Sequence, residues 1–399
     1  MKIFSRYKVH LFLFLLILFS ISFLFPNYFY KYLVPVIISK NQVVLFADWS
    51  VVFSAINCKL LGYNVFVENP CDFMGRPHVY GSVLLFIPFF KEFTKIYIYN
   101  FPIIVNLIFI TYTMCHFKFL KWKEIFLFIF FIFNPATLLA MERLNFDLFI
   151  LIFVIFLSSI RMGYLKIIII SIISSIKFYP LILVQLFFLD KNKISFKNIL
   201  YFLTTIMFTL IIIFVDKNNI IEILNNSYKF SAKDRYLFSF FSIKDYLEIE
   251  SYLFNMIIFL ILIIFSYFIF SLIKKDTVPL IFDINDEKHH SAKLMLLGIS
   301  IFCLTFFIFK NIYYREIFLF CALPYIINQS YGSKIYNYFI YFIIFRYIFF
   351  LLSNGLSINQ KINDLIVYKF ILDQFLIAIL MAIIVYEYKH IFLNFFKKD

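Results

Sequence analysis

The chain has 399 residues, 63% of them hydrophobic, with 61 Phe and a formal net charge of +14. Apolar runs of about 20 residues, the length that crosses a bilayer, recur from end to end. The composition excludes a soluble domain, in which about half of the residues are apolar. The continuous apolar runs exclude a membrane β-barrel, whose strands of about ten residues alternate polar and apolar side chains. The Lys and Arg residues lie between the apolar runs and form no basic stripe for nucleic acid, so we interpret them as residues that orient a membrane protein.

The N-terminal part predicts a membrane anchor followed by an external loop. Residues 1–8 are basic, residues 11–25 are apolar, and no small-residue cleavage site follows them. We therefore expect an uncleaved anchor whose basic end stays in the cytoplasm. Residues 27–80 would then lie outside. The stretch from Phe46 to Tyr80 is the only long polar segment in the first half of the chain, and we interpret it as a structured, lipid-facing catalytic loop.

For the segments that follow, the sequence predicts a short interfacial or partly inserted helix over 81–90 and spans over 97–117, 125–141 and 146–160. A tight external turn, Glu142–Asp147, joins the last two of these spans. Asn145 in this turn is a good helix N-cap, and Asp147 would lie at the positive end of the helix that follows.

Residues 164–189 predict a broken helix pair that enters and leaves the membrane on the same side. Basic residues flank the segment at both ends, and a single crossing would leave one of these flanks outside. Pro180 breaks helices and biases Tyr179 away from helical geometry. We therefore expect two half-spans that meet at Lys177.

The second half predicts a second external loop over 216–251 and a cytoplasmic loop over 274–293. Together the segments predict an all-α, polytopic membrane helical bundle of about 10–12 transmembrane helices in a single integral-membrane domain over residues 1–399. The remaining predicted spans are 199–215, 252–273, 294–309, 317–327, 335–352 and 366–386.

Three cations on the predicted external side are candidates for binding a phosphate group. A charge at membrane depth is costly, so Lys177 requires an explanation; it is either a snorkelling or internally paired lysine or a ligand for an anionic head group. Arg143 and Arg315 lie at span ends and serve either as interfacial anchors or as phosphate ligands. A local alternative for Arg143 is a pair with Asp147 at i, i+4.

Asp48 is a lone acid beside Trp49 after an apolar run. It is either a helix-terminal or solvated residue or, near the membrane surface, a carboxylate that takes a proton from an attacking hydroxyl. Asp72, Arg76 and His78 further along the loop are either substrate contacts or residues that shape the loop.

The five cysteines show no metal-ligand spacing, and we predict neither a metal nor a cofactor. Cys58 and Cys71 share the external loop. A disulfide between them is one alternative if the loop faces an oxidising compartment, and two free thiols are the other.

The order of these residues resembles that in glycosyltransferase family 87, a bacterial group of GT-C class integral-membrane enzymes that use polyprenyl-phosphate sugars. The resemblance extends over roughly residues 40–320 and rests on the order of short motifs. These motifs are Asp48, Gly62-Tyr-Asn, Asn69-Pro-Cys-Asp72, Gly75-Arg76, Tyr80, Asn134-Pro135, Glu142-Arg-Leu-Asn-Phe-Asp147, Lys177-Phe-Tyr-Pro180 and Tyr314-Arg315.

The resemblance implies that the chain transfers a hexose, of which mannose is one candidate, from a polyprenyl-phosphate donor to a glycan or glycolipid acceptor with inversion. Asp48 would be the general base, and Arg143, Lys177 and Arg315 would stabilise the departing phosphate. The site would face the periplasm or exterior from a bacterial inner membrane. The implied substrate-binding residues are Asp72, Arg76, His78, Tyr80, Glu142, Arg143, Asn145, Lys177, Tyr179, Tyr314 and Arg315.

Three other functions fit parts of the pattern. A lipid or polysaccharide transporter or flippase would share the broken helix and the buried cation, but it needs no acid in an external loop. An O-antigen polymerase or ligase places its chemistry on a late, Arg-rich external loop, whereas residues 216–251 contain only Arg235. A non-catalytic membrane scaffold would tolerate replacement of both Asp48 and Lys177.

Overall fold

The structure is a computed structural model. Helices form almost all of its described part. The chain divides into a first unit, residues 1–184 and 200–229, and a second unit, residues 185–199 and 230–399, and each is described by itself. The described residues are 6–24, 45–87, 96–117, 121–189, 195–226, 237–241, 252–276, 287–308, 311–356 and 364–396.

The first unit is built from short and medium-length helices with two 3₁₀ segments, Ser82–Phe86 and Tyr179–Gln185, and a π-helical turn, Ile96–Asn100. Side-chain caps set some of its helix starts: Asn134 and Asn145 each accept a hydrogen bond from the backbone N–H two residues later. The predicted N-cap role of Asn145 is therefore confirmed. The α-helices of this unit are Arg6–Leu24, Ala47–Leu60, Phe101–Cys115, Trp122–Ile132, Pro135–Arg143, Phe146–Ser159, Gly163–Ile176, Phe196–Val215 and Lys217–Asn226.

The second unit contains longer helices and a nine-residue 3₁₀ segment, Tyr313–Cys321. Two-residue strands, Leu237–Phe238 and Asn311–Ile312, pair antiparallel and bring Leu237 opposite Ile312. The α-helices of this unit are Leu186–Leu189, Tyr252–Asp276, Glu287–Ile308, Leu323–Ser330, Lys334–Leu356 and Asp364–Phe396.

Several helices are apolar and long enough to cross a membrane, so the chain is an all-α, multi-pass membrane protein. Five helices pass this test in the described part of the chain, and a sixth span results if the bent pair Trp122–Ile132 and Pro135–Arg143 counts as one. The five spans are Ile98–Cys115, Phe196–Val215, Leu253–Lys275, His290–Ile308 and Val367–Lys389, and they agree with predicted spans.

In the described part of the chain, fewer helices pass this test than the predicted 10–12, and some of the apolar helices there are short. Phe146–Ser159 and Gly163–Ile176 have 14 residues each, about 21 Å of helix, whereas the apolar layer of a bilayer is about 30 Å thick. The predicted span 125–141 bends by 51°. The bend lies at Asn134, the N-cap before Pro135, where proline cannot continue the hydrogen-bond pattern of the preceding helix.

The chain breaks at Lys177, as the sequence predicts. The helix Gly163–Ile176 ends at Lys177, whose backbone is extended with φ −140° and ψ 132°. A 3₁₀ segment then starts at Tyr179, one residue before Pro180. The break turns the Lys177 side chain away from a regular helix and makes it available to the residues described next.

Candidate functional site

Asp48 lies in the first turn of the helix Ala47–Leu60 rather than in a loop. The sequence pattern predicts a loop over residues 27–80, but from Val51 the chain is apolar enough to form a helix with a buried face. Phe46 precedes this helix in the left-handed conformation with φ 59°, and its backbone N–H donates to the Glu142 carbonyl at 2.6 Å. A bulky residue with positive φ is uncommon and is maintained by the structure around it.

The Asp48 carboxylate contacts three side chains from distant parts of the first unit. Asn145 donates to its Oδ2 at 2.6 Å. The guanidinium of Arg143 approaches Oδ1 at 3.3 Å and that of Arg76 at 3.6 Å. Asp48 is only 9% exposed, so two cations and an amide compensate for the cost of burying its charge. The structure thus pairs Arg143 with Asp48.

Asn145 joins Asp48 to Lys177. Its amide nitrogen donates to Asp48, and its amide oxygen accepts from the Lys177 ammonium at 3.1 Å and from the Asp147 backbone N–H at 3.0 Å. Asp147 in turn forms an ion pair with Lys177 and accepts a hydrogen bond from the Tyr179 hydroxyl. We call Asp48, Asn145, Asp147 and Lys177 the Asn145 network. One helix N-cap therefore fixes the relative positions of an acid and a cation.

The helix before Asn145 ends in an unusual conformation. Leu144, at the C-cap of Pro135–Arg143, is left-handed with φ 44° and ψ 58°, a position where glycine is the usual residue. Leu144 is fully buried, and burial of its side chain accounts for the presence of leucine despite the strained backbone. The turn presents Arg143 and Asn145 to the same carboxylate.

An aromatic cluster around the buried Trp49 supports the Asp48 end of the helix. Trp49 packs against Phe53, Phe101 and Phe146, with ring centroids 5.1, 5.1 and 5.5 Å away. Tyr80 packs against Phe146 at 4.7 Å and lies under the Lys177 ammonium, 5.6 Å from its ring centroid. A cation over an aromatic ring at this distance is attracted to it, so Tyr80 contributes to holding Lys177.

Residues 61–81 are held by a disulfide and by Asp72. Cys58 and Cys71 form a disulfide, which is the first of the two alternatives left open by the sequence. Asp72 Oδ2 accepts from the backbone N–H of Met74 at 3.1 Å and of Arg76 at 3.0 Å. The Arg76 guanidinium contacts both Asp72 oxygens and donates to the Ala47 carbonyl at 2.8 Å. Asp72 therefore shapes the loop and aims Arg76 at the start of the Asp48 helix.

His78 is buried in this loop between two aromatic rings. Its ring makes edge contacts with Phe66 at 5.6 Å and with Tyr80 at 5.8 Å, and its backbone N–H donates to the Val65 carbonyl. Burial lowers the pKa of His78 from its ordinary 6.5 to about 4, and the backbone of Gly81 and the carboxylate of Asp216 oppose this shift only in part. His78 is thus a neutral packing residue near pH 7.

Acidification should loosen this loop through His78. The unfolded loop binds a proton with a pKa of 6.5 and the folded loop with a pKa of about 4, so stability is complete above pH 6.5 and falls as the pH drops towards 4. The full loss is about 3 kcal/mol. Hydrogen exchange of residues 61–81 between pH 7 and pH 4.5, corrected for intrinsic rates, measures this loss. His78→Phe, which keeps the packing and removes the titration, should flatten the pH dependence; an unchanged slope in that variant would rule out His78 as its source.

Gly81 lets the loop contact the end of the helix that precedes Lys177. Its backbone N–H donates to the Ile176 carbonyl at 3.2 Å. A Cβ at this position would lie 1.9 Å from the Ser175 carbonyl oxygen, far inside the van der Waals distance. Asp216 secures the next residue by accepting from the Ser82 backbone N–H at 3.0 Å.

Gly81→Ala should displace the loop from the helix end and with it Tyr80, which lies under Lys177. We expect a loss of about 1–3 kcal/mol, as for other substitutions that overpack a tight contact. Thermal unfolding of the purified variant in detergent is the measurement. Gly332→Ala is the matched control because a Cβ at Gly332 meets nothing within 4 Å. Equal melting temperatures for the two variants would contradict the close approach at Gly81.

The charged side chains of this region differ in their access to solvent. The side chains of Arg76, Arg143, Lys177 and Asp48 are 26%, 20%, 12% and 11% exposed, whereas those of Asp72 and Asp147 are 0% exposed. The two fully buried carboxylates therefore position cations, and the four partly exposed groups are the ones that a ligand can reach. Glu142 is 3% exposed and lies beside them. Its Oε2 has no hydrogen-bond partner within the described residues.

Arg315 and Tyr314 belong to the second unit, in the 3₁₀ segment Tyr313–Cys321. The Arg315 side chain is half-buried, and the side chain of Tyr314 lies outside the described part of the structure. The convergence of Arg315 with Arg143 and Lys177 stays a prediction.

Sequence reasoning missed two sets of charged residues. Asp147 was predicted to be a helix-terminal acid or a local partner of Arg143, and its pairing with Lys177 was missed because the two residues lie 30 positions apart. Arg346 and Glu316 were not singled out, although Arg346 interrupts an otherwise apolar predicted span. A charge at membrane depth is a signal that could have found it. Lys369 and Asp373, which lie four positions apart on one helix, form an ion pair at 2.9 Å.

No group of three or more His, Cys, Asp or Glu side chains with metal-binding geometry occurs among the residues that the structure describes. Comparisons of the chain with protein-family models, with curated proteins and with solved structures find no match.

Proposed function

We propose that the chain is a GT-C class membrane glycosyltransferase that moves a hexose from a polyprenyl-phosphate donor to a glycan or glycolipid acceptor. The observation that carries the proposal is the Asn145 network, in which one amide binds both the Asp48 carboxylate and the Lys177 ammonium. An acid that accepts a proton and a cation that binds a departing phosphate are the two groups that this transfer needs. The resemblance of the motif order to glycosyltransferase family 87 supports the choice of reaction.

In the proposed reaction, the acceptor hydroxyl oxygen attacks C1 of the sugar and its proton passes to Asp48. The bond between C1 and the phosphate oxygen breaks at the same time, and the lipid phosphate leaves with the bonding electrons. Attack and departure occur on opposite faces of C1, so the configuration inverts. Asp48 is the only partly exposed acid in the Asn145 network. The network therefore supplies a single general base, as inversion requires, and not the two carboxyl groups, nucleophile and general acid, that a retaining mechanism uses.

The contacts suggest different roles for the cations. The base and the leaving phosphate must lie on opposite faces of C1, and Lys177 lies across the Asn145 amide from Asp48. Lys177 is therefore the better-placed phosphate ligand. Arg76 and Arg143 contact Asp48 itself, so they hold the carboxylate in place, and Arg143 would have to exchange part of this contact to reach a phosphate.

The disulfide supports a site on the external side of a bacterial inner membrane. Cys58 lies in the helix that carries Asp48, and Cys71 lies in the loop that carries Arg76. Structural disulfides persist in oxidising compartments such as the periplasm and are rare in the cytosol. The basic N-terminus, which favours the cytoplasmic side, is consistent with this orientation.

A transporter or flippase for a lipid-linked sugar is the second candidate, because the helix break at Lys177 is also typical of anion sites in transporters. It differs from the enzyme in a measurable way: a transporter moves its lipid between leaflets and leaves every covalent bond intact.

Sugar transfer from a panel of radiolabelled polyprenyl-phosphate hexoses tests the proposal. The purified protein is reconstituted in vesicles with a glycolipid extract, and both label transfer and leaflet exchange are measured. We expect label in the acceptor with at least one donor, and transfer about a thousandfold slower with Asp48→Asn. Leaflet exchange without transfer, unaffected by Asp48→Asn, would replace the enzyme with the transporter; neither activity with any donor would refute both.

A further inference from the structure

A polar side of the helix Lys217–Asn226 contacts the disulfide-bonded loop, residues 61–81. The amide of Asn64 donates to both carboxylate oxygens of Glu222 at 3.0 Å. The last residue of the helix donates from its side-chain amide to the Phe66 carbonyl at 3.4 Å. The polar side chains of the helix are therefore used within the first unit, to hold the loop.

Asp216 fixes the start of this helix. It stands between the apolar span Phe196–Val215 and the helix Lys217–Asn226. Its carboxylate accepts from the Ser82 backbone N–H at 3.0 Å and from the Asn219 side-chain amide at 2.6 Å. The helix is thus attached to the rest of the first unit at its first turn and at its last.

The opposite side of the helix is apolar and exposed. With 3.6 residues per turn, Ile221 and Leu224 lie on one side of the helix and Glu222 and Asn226 on the other. Ile221 and Leu224 are 46% and 55% exposed. Ile223 is the only one of the four apolar side chains of this helix that is buried. The helix therefore turns a polar side towards the protein and an apolar side outwards.

This arrangement indicates that the surroundings of the helix are lipid. In a soluble protein an amphipathic helix buries its apolar side and exposes its polar side, and the reverse is expected where the medium outside is apolar, as at the boundary between lipid head groups and acyl chains. The end of the preceding span is exposed in the same way, since Phe214 and Val215 are 76% and 82% exposed. The lipid-facing surface of that span thus extends almost to the helix, and the exposed Lys217 follows at the position where a basic residue reaches lipid head groups.

We propose that the helix Lys217–Asn226 is an interfacial helix whose Ile221 and Leu224 side enters the boundary between the head groups and the acyl chains of the bilayer. Its partner is the lipid surface itself. Because the loop over residues 61–81 is hydrogen-bonded to the polar side of this helix, the helix also sets the depth of that loop, and of Arg76 within it, relative to the lipid head groups. The binding of the helix to lipid does not depend on the proposed glycosyltransferase function.

Fluorescence quenching of a label on single cysteines tests the depth of the helix. The protein carries Cys115→Ser, which removes the exposed free cysteine of the described structure. Leu224→Cys or Asn218→Cys is labelled and reconstituted in vesicles of phosphatidylethanolamine and phosphatidylglycerol. Lipids brominated on their acyl chains should quench the label at position 224 about threefold more strongly than the label at position 218, and iodide dissolved in the buffer should quench in the reverse order.

Asn218 is the matched control because it is exposed on the same helix, about a third of a turn away from Leu224. Ile221→Cys is a second position on the apolar side and should behave as Leu224→Cys does, so the test does not rest on one variant. Equal quenching at positions 224 and 218 by both reagents would overturn the proposal. Protection of the apolar positions from both reagents would also overturn it, because protein would then cover this side; loss of that protection on dilution of the protein in lipid would identify a second copy of the chain as the cover.

The effect on the loop is tested by sugar transfer, and this readout rests on the proposed function. Replacing both Ile221 and Leu224 by Asn removes the apolar side and leaves Glu222 and Asn64 in place. We expect KM for the polyprenyl-phosphate donor in vesicles to rise about tenfold and kcat to stay within about twofold, as for a loss of binding that is equal in the ground and transition states. An unchanged KM would overturn the control of loop depth. A wild-type protein that transfers no sugar refutes the proposed function instead, and the quenching experiment then decides the binding of the helix to lipid alone.

Discussion

Asp48→Asn should lower kcat for sugar transfer by about a thousandfold, within the range that a positioned general base contributes, while the protein folds normally. Asparagine has nearly the same shape as aspartate and keeps a hydrogen-bonding partner for Asn145, but it cannot accept the acceptor's proton. Because the proton moves only in the transition state, we expect kcat and kcat/KM to fall together with little change in donor KM. Initial rates and a melting temperature of the same preparation are the measurements.

Asp72→Asn provides the comparison for this experiment. Asp72 also contacts Arg76, but its side chain is fully buried and holds the loop. We therefore expect a lower melting temperature and a kcat within about tenfold of the wild type, the size of one hydrogen-bond contribution. If Asp48→Asn kept a tenth of the wild-type kcat, the general-base role would be wrong.

Lys177→Met should destabilise the protein by about 3–5 kcal/mol, because it leaves the buried Asp147 carboxylate without its cation. The second substitution Asp147→Asn removes the unpaired charge, and we expect the double variant to regain most of the stability. Sugar transfer should remain lost in the double variant, since no ammonium is present to bind the departing phosphate. Thermal unfolding and transfer rates of the single and double variants measure both effects.

This pair of variants separates two interpretations of Lys177 that the sequence left open. A lysine that serves only as the internal partner of Asp147 becomes dispensable once Asp147 is neutral. Recovery of transfer along with stability in the double variant would therefore assign Lys177 a purely structural role.

The parts of this site that sequence could predict are those set by local chemistry. Asn145 is an N-cap because its side chain satisfies a helix-end N–H, and the helix ends at Lys177 shortly before Pro180. Both follow from residues within a few positions. Apolar runs likewise predicted the five spans that the described structure contains.

The pairings across the site could not be predicted because they depend on turns whose geometry the sequence does not display. Arg143 pairs with Asp48, 95 residues away, because Leu144 adopts a left-handed conformation that glycine would normally occupy. A leucine at position 144 does not predict a left-handed turn. The contact at Gly81 could not be predicted either. Glycine is needed there because a Cβ would clash with the carbonyl oxygen of Ser175, which lies on a different helix.

A structure of the protein with a bound polyprenyl-phosphate sugar tests the shared site most directly. We expect the donor phosphate to lie within hydrogen-bonding distance of the Lys177 ammonium, with the Asp48 carboxylate on the opposite face of the sugar's C1. A donor bound with its phosphate away from Lys177, or with C1 out of reach of any hydroxyl that Asp48 could deprotonate, would contradict it.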